Sequence, residues 1–204
     1  MQAHQRGGTP PADPPFDIVA VAASAGGLNA ISMLLGALPR DFPTPIVVVQ
    51  HLDPRHRSLM ADILSRRTTL TVKQAEQGEQ LTVGTVFIAP PDRHLLVNTD
   101  DTLSLTQTEL VHFLRPSADL LFESVAASHR DRAIAVVLTG TGSDGAMGVQ
   151  AIKKMGGTVI AQNEQTAEFF GMPGAAIQAG CVDFTLAITE IAPALVALVH
   201  GDAP

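Results

Sequence analysis

The chain has 204 residues, 46% of them hydrophobic and 16% charged, which is the composition of a folded domain with a sizeable core rather than of a disordered chain. A formal net charge of −7 argues against non-specific nucleic-acid binding, which needs a Lys/Arg surface to displace counterions. No window offers the ~20 consecutive apolar residues of a membrane span, the N-terminus lacks a basic-then-apolar secretion signal, and a single cysteine, Cys181, can form no intrachain disulfide. Cytoplasmic residence without membrane insertion is the expectation.

Residues 1–15 are polar and rich in Gly and Pro, and read as a disordered tail. One domain is expected over residues 16–200. Apolar β-type runs alternate there with helical segments, which predicts an α/β fold. The sheet is expected to be doubly wound and mostly parallel, with crossover helices on both faces and a β-hairpin insertion. With no Trp or Tyr, its core must be built from Val, Ile, Leu and Ala.

The first strand is Asp17–Ala22, and a turn of small residues, Ala23–Gly27, leads into a helix over Leu28–Leu38. A second strand, Ile46–Gln50, is apolar enough to be covered on both faces. Ser58–Arg67 reads as helix, Thr69–Ala75 as a short strand and Thr85–Ala89 as another, stopped by Pro90-Pro91. His94–Val97 and Thr102–Thr106 flank Asn98-Thr99-Asp100-Asp101 as a hairpin. Pro116–Ser128 is helical, with Pro116 or Ser117 near its start. Ala133–Leu138 is a strand, Thr139–Gly145 a Gly-rich turn, and Ala146–Met155 a helix ended by Gly156-Gly157. Thr158–Ala161 is the last predicted strand, with helices at Pro173–Ala179 and Thr189–Val199.

In open parallel sheets ligands bind at the carboxyl ends of the strands. Three loops carry polar groups directly after an apolar strand: Ser24, His51, and Ser143-Asp144. A serine hydroxyl needs a base to become a nucleophile, and an imidazole serves when a carboxylate fixes its tautomer. Gly26-Gly27 permits a sharp turn into the helix, whose first N–H groups are free to hold an oxyanion. Each residue also has a plainer reading. Ser24 could cap the helix, or its turn could cradle a phosphate. Asp144 could be a turn and cap residue. His51-Leu52-Asp53-Pro54-Arg55-His56 contains an H-x-D-x-x-H pattern of zinc-ligand types, but a metal site needs three or four converging ligands and no second motif accompanies it. Cys181 reads as a small buried hydrophobe. His4, His112, His129 and His200 show no partner pattern and read as surface residues.

Seven segments in one order resemble the catalytic domain of the chemotaxis protein-glutamate methylesterases, the CheB family. They are Ala23-Ser24-Ala25-Gly26-Gly27, Gln50-His51-Leu52, Ile88-Ala89-Pro90-Pro91, Arg115–Phe122, Leu138–Gly145, Ile160–Glu164 and Phe170-Gly171-Met172-Pro173. The resemblance runs from about Phe16 to Leu198. It implies Ser24 as nucleophile, His51 as base and acid, and Asp144 as the residue that orients it. Backbone amides near Ala25 and Thr141 are expected at the oxyanion. It also implies glutamyl methyl esters on chemoreceptors or related signalling proteins as substrate, glutamine deamidation as a second activity, and no cofactor or metal. The family often has Gly at position 22, Thr at 25 and Met-Gly-Asn where Thr141-Gly142-Ser143 stands. The Ser-Ala-Gly-Gly, Gln-His-Leu-Asp-Pro and Thr-Gly-Ser-Asp-Gly forms are similar to esterase domains fused to methyltransferases and sensor kinases, so such proteins are candidate partners. A non-catalytic signalling module and a small-molecule carboxylesterase are the alternatives.

Overall fold

A computed structural model describes residues 15–51, 59–111 and 114–203. The expected tail, all but its last residue, and the H-x-D-x-x-H segment beyond His51 lie outside these residues, as do His4 and His112. β1 (Ile18–Ala23) is buried along its whole length because it lies in the middle of the sheet. Its alternation divides the core in two. Val19, Val21 and Ala23 pack with Ile31, Leu34 and Leu195 on one face, while Ile18, Ala20 and Ala22 pack with Phe122, Val149 and Ala176 on the other. Apolar side chains on both faces are what a two-sided parallel sheet requires.

The other strands are β2 (Ile46–Gln50), β3 (Thr71–Gln74), β4 (Thr85–Ile88), β7 (Ala133–Val137), β8 (Thr158–Gln162) and β9 (Phe184–Leu186), with β5 (His94–Val97) and β6 (Leu103–Thr106) forming a separate antiparallel hairpin. The seven-stranded sheet runs β3-β4-β2-β1-β7-β8-β9, and every pair in it is parallel. α1 (Gly27–Ala37), α2 (Met60–Ser65) and α6 (Ile188–Val199) supply the first core cluster. α3 (Ala118–His129), α4 (Ala146–Lys154), α5 (Gly171–Gln178) and the hairpin supply the second. This is the expected doubly wound fold.

The chain leaves β1 toward β2 on one side and returns beside β1 as β7 on the other. The strand order therefore reverses at β1, and loops on either side of that point diverge to leave a crevice at the carboxyl ends.

The differences from the sequence reading have local causes. β9 was not expected: three residues carry no measurable alternation. α5 begins two residues before its Pro173, a position in the first helical turn where proline costs no hydrogen bond. His129 is not a free surface histidine, for its ring bonds Asp101 at 3.1 Å and the Ser128 hydroxyl at 2.8 Å. Cys181 is half-buried against the second core cluster rather than fully enclosed.

Candidate active site

Strand register brings the first two candidate residues together. Ala23 of β1 pairs with Gln50 of β2, so Ser24 and His51 are the next residues along two neighbouring parallel strands, whose spacing is about 4.8 Å. The His51 N–H donates to Ala23 O at 3.1 Å, and the Ser24 N–H donates to Thr139 O at 3.0 Å across to the loop after β7. Ser24 thus stands between the β2 and β7 loops at the switch point.

The turn after Ser24 is walled by glycines because other chain segments crowd it. Gly26 has φ +75°, a left-handed conformation that favours glycine. A Cβ on Gly27 would overlap Gln50 Oε1, and one on Gly140 would come within 2.8 Å of the Ser24 Cβ. Gly26 is the N-cap of α1 and no side chain caps the helix, so Ser24 is not its capping serine. The N–H groups of Ala25 and Thr141 have no acceptor among the described residues.

Asp144 does not cap its own helix. It crosses to the N-terminus of α3, where it is 3% exposed and accepts from the Ser117 hydroxyl (2.9 Å), the Ala118 N–H (2.6 Å) and the Asp119 N–H (3.1 Å). The His51 ring completes the set, with Nε2 2.8 Å from Oδ2. A carboxylate only accepts, so Nε2 carries the proton and Nδ1 of the neutral ring is left as an acceptor. Burial by itself raises the Asp144 carboxyl, but the His51 hydrogen bond and the Ala118 and Asp119 N–H groups outweigh it and hold the carboxyl below its ordinary value. The structure therefore joins His51 to Asp144 directly. It sets Ser24 at the adjoining strand end, with no hydrogen bond from its hydroxyl to the imidazole among the described residues.

Several residues that the sequence reading left without a role hold this arrangement. Gln50, 5% exposed, donates from Nε2 to Ser24 O (2.6 Å) and His51 O (3.1 Å), clamping the two strand ends together. Thr139 donates from Oγ1 to Ala25 O at 3.0 Å. Buried His94 accepts the Ser117 N–H at Nδ1 (3.2 Å) and donates from Nε2 to Glu109 O (3.1 Å), fixing the start of α3. Burial comes first among the causes that lower the His94 pKa, which keeps the ring neutral for this bond. The sequence reading gave Gln50 only a strand end and Ser117 only a helix start, besides their places in segments of resemblance. Gln50→Leu removes the side-chain donor from both carbonyls, leaving Ser24 O only the Gly27 N–H at 2.9 Å, and lowers stability by about 1–3 kcal/mol, read as a drop in the urea midpoint. An unchanged midpoint would show that the clamp contributes nothing.

A cleft of about 460 Å³ opens beside Ser24, lined by Leu28, Gln50, Ile63 and Arg67 among others. That volume suits a side-chain-sized ligand. No group of three or more candidate metal-ligating side chains occurs among the described residues. No helix among them is long and apolar enough to cross a membrane.

With a hydrogen-bonded imidazole–carboxylate pair beside a serine at the switch point of a doubly wound parallel sheet, the class is that of an α/β protein with its candidate site at the carboxyl ends of the strands. Comparison with known proteins gives the family. Residues 19–195 match the family model described as CheB methylesterase. The crystal structure of the Thermotoga maritima CheB methylesterase catalytic domain superposes with a TM-score of 0.88 at 38% identity, covering 90% of this chain and 99% of that one. A Leptospira interrogans protein, provisionally named a protein-glutamate methylesterase/protein-glutamine glutaminase, is 40% identical over 90% of this chain and 95% of its own length. A Thermotoga maritima protein named protein-glutamate methylesterase/protein-glutamine glutaminase is 38% identical over 89% of this chain, which spans 54% of it. The chain belongs to the CheB methylesterase family.

Proposed function

We propose that this chain hydrolyses glutamyl methyl esters on a methylated chemoreceptor or a related signalling protein, through Ser24, His51 and Asp144. The observation that carries the reading is the 2.8 Å bond between the His51 ring and the buried Asp144, formed at the strand end next to Ser24. In this reaction the Ser24 hydroxyl attacks the ester carbonyl and its proton passes to His51 Nδ1. A hydrogen bond between nucleophile and base commonly tightens only on substrate binding. The N–H groups of Ala25 and Thr141 are the donors for the oxyanion, and no side-chain hydroxyl assists at position 25.

The tetrahedral adduct collapses, methanol departs with the proton from His51, and an acyl-enzyme remains on Ser24. Water, deprotonated by His51, then attacks the acyl-enzyme and releases the glutamate carboxyl. The same steps on a glutamine side chain release ammonia, the second activity in the relatives' names. The reaction uses no cofactor. A cytoplasmic setting, with a methyltransferase or sensor kinase as partner, goes with this reading.

A fluorophosphonate probe tests it, because such probes label only an activated serine. The expected result is one adduct, at Ser24, together with methanol release from methylated receptor membranes. Absence of labelling would favour a non-catalytic binding module. Labelling with turnover of a generic ester, but no methanol from any receptor, would favour a small-molecule carboxylesterase.

A further inference from the structure

A second buried carboxyl lies behind Asp144. Asp119, in the first turn of α3, is 4% exposed. Its Oδ1 accepts from the N–H groups of Gly145 (2.9 Å) and Gly148 (2.7 Å) at the start of α4. The two acids exchange helices: Asp144, just before α4, holds the N-terminus of α3, and Asp119 of α3 holds that of α4. The two carboxyls therefore lie side by side: Asp144 Oδ1 accepts the Asp119 N–H at 3.1 Å, while Asp119 Oδ1 accepts the N–H of Gly145, the residue after Asp144. Two carboxylates this close and out of water repel each other, which favours a single proton on the pair. Asp144 faces four donors, from His51, Ser117, Ala118 and Asp119, and keeps the charge.

Resting on the reading of the site given above, we propose that Asp119 is a positioning residue, a proton-bearing carboxyl that donates to Asp144 and fixes the carboxylate against which His51 is held. Among the described residues, these groups lie around it. The β7–α4 loop brings Asp144, with His51 of the β2 end beyond it. α4 offers only backbone N–H groups. β5 brings His94, whose ring is engaged by Ser117 and Glu109. Burial foremost, and the Asp144 charge with it, push the Asp119 carboxyl up against the pull of the Gly148 and Gly145 N–H groups. When Asp119 loses its proton, two adjacent anions repel and Asp144 loses its fixed place.

Two variants and one spectrum test this. Asp119→Asn keeps a neutral acceptor for Gly145 and Gly148 and a donor for Asp144, and retains kcat for methanol release to within about threefold. Asp119→Ala loses kcat by about 100-fold through misplacement of the pair, with KM little changed. The fall in the wild-type rate that accompanies ionisation of Asp119 is missing in Asp119→Asn. Carbon-13 NMR of the wild-type protein shows the Asp119 carboxyl titrating above the ordinary carboxylate range. That measurement needs no activity, so it separates failure of this proposal from failure of the esterase reading, and it stands if Asp119→Ala does not fold. An Asp119 signal titrating at or below the ordinary range, or Asp119→Asn as slow as Asp119→Ala, would overturn the proposal.

Discussion

Ser24→Ala abolishes methanol release, lowering kcat by on the order of 10⁶-fold, and leaves the protein folded. The two halves of this expectation have separate causes. The structure asks little of the Ser24 side chain: its backbone N–H and O are bonded to Thr139 and Gln50, which alanine preserves. The Cβ that Gly140 crowds is present in alanine as well. The proposed chemistry asks everything of the hydroxyl, because without it no acyl-enzyme forms. Because nucleophile and base act as a unit, adding His51→Ala to Ser24→Ala lowers the rate little further. Methanol release and thermal unfolding, measured on wild type and both variants, check the two halves. A single variant that keeps full activity would remove Ser24 from the mechanism.

Asp144→Asn is expected to cost about 10⁴-fold in kcat and, unlike the serine change, to destabilise the fold. Asp144 accepts four hydrogen bonds through two oxygens. Asparagine has one carbonyl oxygen, so its NH₂ stands either at the Oδ2 position, facing the His51 ring and the Ala118 N–H, or at the Oδ1 position, facing the Asp119 N–H and the Ser117 hydroxyl. Facing the ring, it reverses the tautomer and leaves the proton on the nitrogen that should take it. Facing Asp119 instead, it sets donor against donor at that N–H, as the first placement does at Ala118. Each buried group left without a partner costs about 1–3 kcal/mol.

The pH dependence of stability carries the same signature. The Asp144 carboxyl is held below its ordinary value in the folded protein, so over that range the unfolded chain binds more protons. Its contribution to stability is present above the unfolded value and is lost as pH falls through the folded one, on the acid side of the carboxylate range. In Asp144→Asn that acid-side loss disappears from a plot of unfolding free energy against pH. A plot with the same acid limb as wild type would show that Asp144 does not supply it.

How far the site could be read in advance varies from residue to residue. Ser24, His51 and Asp144 stood out because each is a polar group directly after an apolar run, and a parallel sheet puts all such positions on one edge. The plainer readings of Ser24 and Asp144 as local caps were equally legible, and only the fold separates them. Gly26 caps α1, and the Asp144 carboxylate leaves its own helix for another. Gln50 carried no signal beyond its place at a strand end. Its importance lies in two carbonyls, one of them 26 positions away.

The amino-acid pattern by itself determined that this chain folds as a parallel sheet covered on both faces. Strands such as Ile18–Ala23 and Ile46–Gln50 have no polar side to offer water, and this property is local and periodic. Tertiary structure alone decided that β1 lies between β2 and β7, that His51 meets a carboxylate 93 positions away, and that Asp119 and Asp144 secure each other's helices. Periodicity says which face of a strand is buried but not which strand lies beside it. A hydrogen bond between distant residues depends on that order alone.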